Sequence, residues 1–406
     1  MNNEKNQVLN VTEDVKWIGV LDKDLITFDV VMETEYGSTY NSYFIDAEKK
    51  AVVETTKERF WDEYKAKLLK VVDPKEIEYV ILNHTEPDHS GNLKNLLEIA
   101  PQAKVVASGN AIRYLKDLFK DSNFDYIQVK DGDTIDLGNK TLRFISAPNL
   151  HWPDSMYTYL EQDKVLFSCD SFGAHYADEK MFDDQVDIEK YDDAFRYYFN
   201  VILRPFSKFM LKAIARISDL DIDVIANGHG PVLRTHWKKY VELSRQWAEE
   251  YLKQPEKQRV FIPYVSAYDK TGQLAEKIAE GVRASGDIEA GPMDIEMVSL
   301  GDLESEITKA TGIIVGSPTI NQNILLPIYK LFGVLTPLRD KKKLAGGFGS
   351  YGWSGEGAML IKSALTSLKM NYFEDGVFVK FSPDGSELDQ SYNYGKAFGE
   401  KLLEKS

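Results

Sequence analysis

The sequence predicts an α/β protein of two domains, the second a doubly wound parallel sheet. Three observations predict it. From residue 258 onward, short apolar runs alternate with helix-period stretches five times over, the signature of successive βα units. A polar break, Gln254-Pro255-Glu256-Lys257-Gln258, separates that region from what precedes it. Residues 1–254 mix strands and helices less regularly, as in an α/β domain whose strands are not all parallel. At 406 residues, the chain is long enough for two or three domains of about 150 residues each.

In chain order, Leu25–Thr34 and Ser42–Ile45 read as hairpin strands. Further strands follow at Tyr79–Leu82, Val105–Ala107, Thr141–Ile145, Lys164–Phe167 and Asp223–Ala226. Helical periodicity covers Thr56–Val71, Asn92–Ile99, Asn110–Phe119 and Asp192–Ala215. In the second domain, 258–406, the strands are Val260–Ser266, Ile295–Leu300, Gly312–Ser317, Leu344–Gly349 and Gly376–Phe381. Its helices are Thr271–Ala284, Asp302–Ala310, Ile324–Leu335, Gly355–Met370 and Glu387–Glu404.

Hydrophobic residues make up 43% and charged residues 28%, which excludes a disordered or fibrous chain. The net charge of −15 repels phosphate backbones and anionic lipid, so neither nucleic acid nor a membrane is expected as a partner. No signal-peptide core opens the chain, and the most apolar stretch, Ile324–Leu335, is too short to span a bilayer. A single cysteine, Cys169, allows no internal disulfide and no CxxC pair. The cytoplasm is the expected compartment, and any redox chemistry must come from something other than thiols.

The chain has six histidines, and four recur in one setting, a loop just after an apolar strand. Tyr79–Asn83 leads into His84-Thr85-Glu86-Pro87-Asp88-His89, and Leu142–Ile145 leads towards His151. Val165–Cys169 ends at Asp170, and Asp223–Gly228 ends at His229. Strand carboxyl ends are where α/β folds gather ligands. His84, Glu86, Asp88, His89, His151, Asp170 and His229 are therefore the candidate metal ligands, enough for two metals sharing a carboxylate. A lone histidine is more often a satisfied core residue; burying three carboxylates among four imidazoles without cations would be costly.

The HxExDH spacing, followed by histidine, aspartate and histidine after successive strands, resembles the metallo-β-lactamase fold, an αββα sandwich. Hydrolases of that superfamily typically show HxHxDH, whereas here Glu86 stands at the second histidine. That exchange is the pattern of the flavodiiron proteins, also called A-type flavoproteins. Added carboxylate oxygen suits iron cycling between ferrous and ferric better than a hydrolytic zinc pair. The resemblance implies that His84, Glu86 and His151 hold one iron, that Asp88, His89 and His229 hold the other, and that Asp170 bridges them. It also implies a tyrosine near the pair as proton donor, Tyr198 in preference to Tyr197, with His175 as a donor behind the ligands. Trp152 reads as site wall, His236 as an ordinary surface or core residue, and Cys169 as a small buried hydrophobe.

The second domain opens with a hydroxyl-rich loop, Ser266-Ala267-Tyr268-Asp269-Lys270-Thr271, between strand and helix. Hydroxyls, backbone N–H groups and a helix N-terminus make an anion cradle there. It lacks GxGxxG and the Walker lysine, and alone it reads as a helix cap. Two more loops at strand ends strengthen the signal, Ser317-Pro318-Thr319-Ile320-Asn321 and Ser350-Tyr351-Gly352-Trp353-Ser354-Gly355. Residues 258–404 are similar to flavodoxin. The resemblance implies flavin mononucleotide (FMN), with Ser266, Tyr268, Lys270 and Thr271 on the phosphate and Thr319, Asn321, Tyr351, Gly352 and Trp353 beside the isoalloxazine.

These expectations combine into an oxygen or nitric oxide reductase, taking O2 to water, NO to N2O, or both, with electrons passed through FMN to two iron ions. The family resemblance further implies a head-to-tail homodimer or a dimer of dimers. With no CxxC pair for a fused domain, it implies rubredoxin or another separate electron donor. A binuclear zinc hydrolase with a flavodoxin-like docking domain is the principal rival, and a non-catalytic electron carrier the second.

Overall fold

Seven strands build the first sheet, in the spatial order Leu9–Asn10, Val15–Trp17, Tyr43–Ile45, Lys50–Val53, Ile77–Leu82, Lys104–Ser108 and Tyr126–Val129. A second, five-stranded sheet runs Thr134–Asp136, Thr141–Ser146, Met156–Leu160, Val165–Cys169 and Val224–Asn227. In this computed structural model the described residues are 7–28, 32–120, 123–253 and 257–404. Residues 29–31 of the expected strand Leu25–Thr34, and Gln254, Pro255 and Glu256 of the expected linker, lie outside them. The chain divides into two units, Met1–Lys253 and Gln254–Ser406.

In the first unit the apolar residues of each central strand point both ways, as a sheet covered on both faces requires. Ile81 and Val106 face the second sheet, packing with Phe144, Phe167 and Ala226. Val80, Leu82 and Val105 face outward, under the helices Trp61–Val71, Leu93–Ile99 and Gly109–Leu118. The outer face of the second sheet carries Ile188–Tyr198, Ser207–Ile217 and Trp237–Leu252, through Tyr191, Phe195, Met210, Ile214 and Tyr240. The layers are therefore helix, sheet, sheet, helix. The helix expected over Asp192–Ala215 is interrupted. It gives way to a π turn at Phe199–Leu203 and a 3-10 turn at Arg204–Phe206, because Pro205 supplies no N–H to a continuing helix. The expected helix Thr56–Val71 starts later, at Trp61, after a 3-10 turn at Glu58–Phe60.

The second unit is a parallel sheet in the order Ile288–Asp294, Gln258–Tyr264, Gly312–Gly316, Leu344–Tyr351, then Asn371–Tyr372 and Val377–Lys380 beside the last long strand. Helices Lys270–Ala284 and Gly385–Leu403 cover one face. Leu300–Lys309, Leu326–Val334 and Glu356–Ser367 cover the other. The C-terminal helix begins with a capping box, Asp384 and Glu387 each accepting the other's backbone N–H. One expectation is corrected: the second strand is Ile288–Asp294, and Ile295–Leu300 is loop ending in a helix start at Leu300. The true strand is a half-exposed edge containing Gly291-Pro292, a sequence that disguises it; proline is tolerated on an edge because its missing N–H faces no ladder partner.

Candidate metal centre and flavin site

His84 follows the strand Ile77–Leu82, and one helical turn, Pro87–Ser90, then sets Asp88 beside His89. That turn is fastened from outside. The Thr55 N–H and hydroxyl both donate to the His89 carbonyl, at 2.7 and 2.6 Å, and the Ser90 hydroxyl donates to the Thr85 carbonyl at 2.8 Å. His151 comes from the loop after Thr141–Ser146, Asp170 from the end of Val165–Cys169, and His229 from the end of Val224–Asn227. Four residues around these loops, Glu54, Asn149, Cys169 and Phe172, have positive φ. Left-handed backbone costs about 1–2 kcal/mol at each such residue and gathers where a site dictates the chain path.

Asp170 stands between two donor sets. Its Oδ2 lies 3.6 Å from His84 Nε2 and 3.5 Å from His151 Nε2; both imidazoles also face Glu86 Oε2, at 3.1 and 3.0 Å. Its Oδ1 lies 3.0 Å from His89 Nε2 and 3.4 Å from His229 Nε2. The second set closes through Asp88, 3.2 Å from His229 Nε2 and 3.7 Å from His89 Nε2. Both oxygens of Asp88, both of Asp170 and Nε2 of His89 are buried without a hydrogen-bond partner. Such groups are costly unless a cation satisfies them, so this donor set fits two metal ions. All-nitrogen-and-oxygen ligation fits iron.

The electrostatics show what such cations would displace. Burial alone would lower His229, but the neighbouring carboxylates of Asp170 and Asp88 outweigh it and bring the imidazole to about 10. His84 and His89 are likewise raised, burial being overcome for His84 by Asp154 and Glu86 and for His89 by Asp88 and Asp170. Asp170 is held well below the usual carboxylate range, burial being outweighed by His89 and His229. Without metal the pocket holds protons where cations would sit.

Outside the seven donors, His229 Nδ1 donates to the Thr39 carbonyl at 2.6 Å, fixing its tautomer. Asp154 and Glu54 stand behind His84 and His89, at 3.4 and 3.7 Å; sequence reasoning missed both. Glu54, directly after the strand Lys50–Val53, shares the strand-end setting of the other donors, which was the available signal. Trp152 meets His84 edge-on, with centroids 5.1 Å apart. Cys169 is buried, its sulfur 3.8 Å from His89 Nδ1. His175 stacks on Phe28 and accepts or donates at Ser38 Oγ, 2.8 Å away. Burial and the charge of His229 push it well below the ordinary histidine range. Tyr198 is buried against His175 and His229, with ring centroids 4.9 and 6.2 Å away, whereas Tyr197 is 41% exposed. His236 lies away from this cluster, at the start of the helix Trp237–Leu252.

Gly228 makes room for His89: a Cβ there would lie 2.7 Å from His89 Cε1 and 3.1 Å from the Cys169 carbonyl carbon. Gly228→Ala is expected to push the imidazole off its position and to weaken iron retention about 10- to 100-fold. Chelator competition measures it, and wild-type retention would contradict this packing.

In the second unit a cavity of about 380 Å³ is lined by Tyr268, Lys270, Pro318, Thr319, Ser350, Tyr351, Gly352 and Trp353, all expected there. Ala267, Ile320, Phe381 and Ser382 also line it and were not anticipated. Tyr268, Trp353 and Phe381 are 82, 80 and 64% exposed, three aromatic faces around one opening, as a planar ligand needs. Ser266 Oγ is buried with no partner, an unsatisfied donor suited to phosphate. The other expected residues play different parts. Thr271 bonds Ser350 at 3.1 Å inside the protein, and Ser317 is buried, accepting the Leu325 N–H. Asn321 is exposed with φ of 53°, and Ser354 and Gly355 precede the helix Glu356–Ser367 without lining the cavity. These residues fit FMN.

A family profile described as ODP family beta lactamase matches residues 39–230, and one described as Flavodoxin matches residues 262–395. The chain is 38% identical to a flavo-diiron protein of Clostridium acetobutylicum, over 97% of this chain and 99% of that one. It is 34% identical to a nitric oxide reductase of Moorella thermoacetica, over 98% and 100%. Among solved structures it is similar to rubredoxin oxygen:oxidoreductase from Desulfovibrio gigas, with a TM-score of 0.74 and 30% identity, over 98% of this chain and 99% of that one. Likeness of this extent, running through both units, places the chain in the flavodiiron protein family.

Proposed function

We propose that the chain is a flavodiiron oxidoreductase that reduces O2 to water, NO to N2O, or both. The observation that carries the reading is Asp170, one unsatisfied oxygen turned to each of two histidine–carboxylate sets. When bound, FMN and the iron pair supply the electron transfer: four electrons and four protons per O2 give two waters, and two electrons and two protons per pair of NO give N2O and water. The chain's own residues bind and orient. His84, Glu86 and His151 hold one iron; Asp88, His89 and His229 hold the second; Asp170 joins them. Tyr198 holds a transferable proton on its phenol oxygen, with His175 beside it. Ser266, Tyr268 and Lys270 serve the phosphate, while Thr319, Tyr351, Gly352 and Trp353 serve the ring.

Relatives named for oxygen and for nitric oxide chemistry both resemble the whole chain, and both names speak against the zinc hydrolase. Rubredoxin or a similar small carrier is the proposed donor, a reading that the name of the Desulfovibrio gigas relative supports. Assigning the two cofactors to separate units supports a head-to-tail homodimer or a dimer of dimers. A cytoplasmic location fits an acidic chain in which, among the described residues, no helix is long and apolar enough to cross a membrane.

The test is anaerobic protein with its flavin reduced, given O2 or NO in turn. Rapid flavin reoxidation with gas consumption is expected for at least one gas, and the ratio of rates assigns the substrate. Reduced protein that consumes neither gas would contradict the reading.

A further inference from the structure

Two buried carboxylates back the ligand imidazoles, one for each donor set. Asp154 accepts the Thr85 N–H and hydroxyl through Oδ2, at 2.9 and 2.7 Å, and turns Oδ1 to His84 Nδ1, 3.4 Å away. Glu54 accepts the Asn83 N–H through Oε1 at 2.8 Å and turns Oε2 to His89 Nδ1, 3.7 Å away. In both residues the oxygen facing the imidazole is buried and has no hydrogen bond. An amide could accept the same backbone N–H, so fastening the loop does not explain the charge. His229 shows the neutral alternative, a backbone carbonyl behind the ring.

Resting on the flavodiiron reading above, we infer that Asp154 and Glu54 are positioning residues that hold down the reduction potential of the iron pair, each through a carboxylate behind one imidazole of its own donor set. A carboxylate there aims the ring and makes it a stronger donor. Its charge, buried beside the metal, favours the ferric ion over the ferrous because ferric carries one more positive charge. Both effects have the same sign. They make the reduced pair a stronger reductant toward a diatomic gas.

Asp154→Asn and Glu54→Gln keep the backbone-facing acceptor and delete the charge. Each full-length variant, with flavin bound and ferrous iron added anaerobically, is titrated while the mixed-valence iron signal is followed by electron paramagnetic resonance and the flavin by absorbance. The iron potentials are expected to rise in both variants, rise further in the double variant and fall back in Glu54→Asp, with the flavin potential unmoved. Asp183→Asn is the control for a merely structural carboxylate, since Asp183 accepts the backbone N–H groups of Arg234, Thr235 and His236; it should leave the iron potentials in place. A variant that loads poorly is read by chelator competition, because a rise in potential equals a greater loss of ferric than of ferrous affinity. Wild-type potentials in the neutral variants, or equal loss of both affinities, overturns the inference. A wild-type chain that takes up no iron overturns the underlying reading instead, a separate and recognisable result.

Discussion

Asp170→Ala is expected to abolish reduction of O2 and NO and to strip iron from the protein, while the FMN absorbance spectrum stays unchanged. Asp170 presents one oxygen to His84 and His151 and the other to His89 and His229. Its removal takes a donor from both sets at once. Losing a partner behind a ligand typically costs about 10- to 100-fold in metal affinity or activity; losing the shared donor should exceed that. The flavin residues belong to the other unit, so an unchanged spectrum shows that the flavin unit is intact and that the loss lies in the metal-binding unit. Iron analysis and gas uptake measure the effect, and turnover within tenfold of wild type would discredit the bridging assignment.

Iron loading is expected to weaken steeply as pH falls. In the metal-free pocket His229 is raised to about 10, burial being outweighed by Asp170 and Asp88, against an ordinary value of about 6.5. A group raised in the folded state contributes stability in full below its unfolded value and loses it as pH climbs through the folded value. The metal-free protein should therefore lose this contribution between about pH 6.5 and 10. Iron must displace the same proton, so below about pH 10 its apparent affinity falls about tenfold per pH unit for each proton displaced. From pH 8 to pH 6 that is about 10²-fold from His229 alone, and His84 and His89 are raised in the same direction. Anaerobic competition between metal-free protein and a ferrous chelator across this range measures the slope. A flat profile would show that the imidazoles are not the groups displaced.

The candidate metal donors were legible because each lies in a loop or turn that follows an apolar strand, and the fold turns strand ends to one side of a sheet. Asp154 and Glu54 were harder to see, since a carboxylate behind a ligand has no fixed spacing from it. Asp154 is 70 residues from the imidazole it faces. Phe381 escaped notice because an aromatic ending an expected apolar strand reads as core, yet it is 64% exposed at the flavin cavity. Alternating helix and strand patterns exposed the parallel sheet, while its edge strand Ile288–Asp294 was masked by Gly291-Pro292 and half-exposed side chains. Periodicity also carried through Pro205, where the backbone cannot continue a helix.

Metal analysis of the purified, catalytically competent protein, with Mössbauer spectroscopy of iron-57-enriched material, tests the centre most directly. Two irons per chain are expected, in two distinct nitrogen-and-oxygen environments and both lost in Asp170→Ala. Full gas-reducing turnover in protein that carries zinc, or no metal at all, would contradict the account.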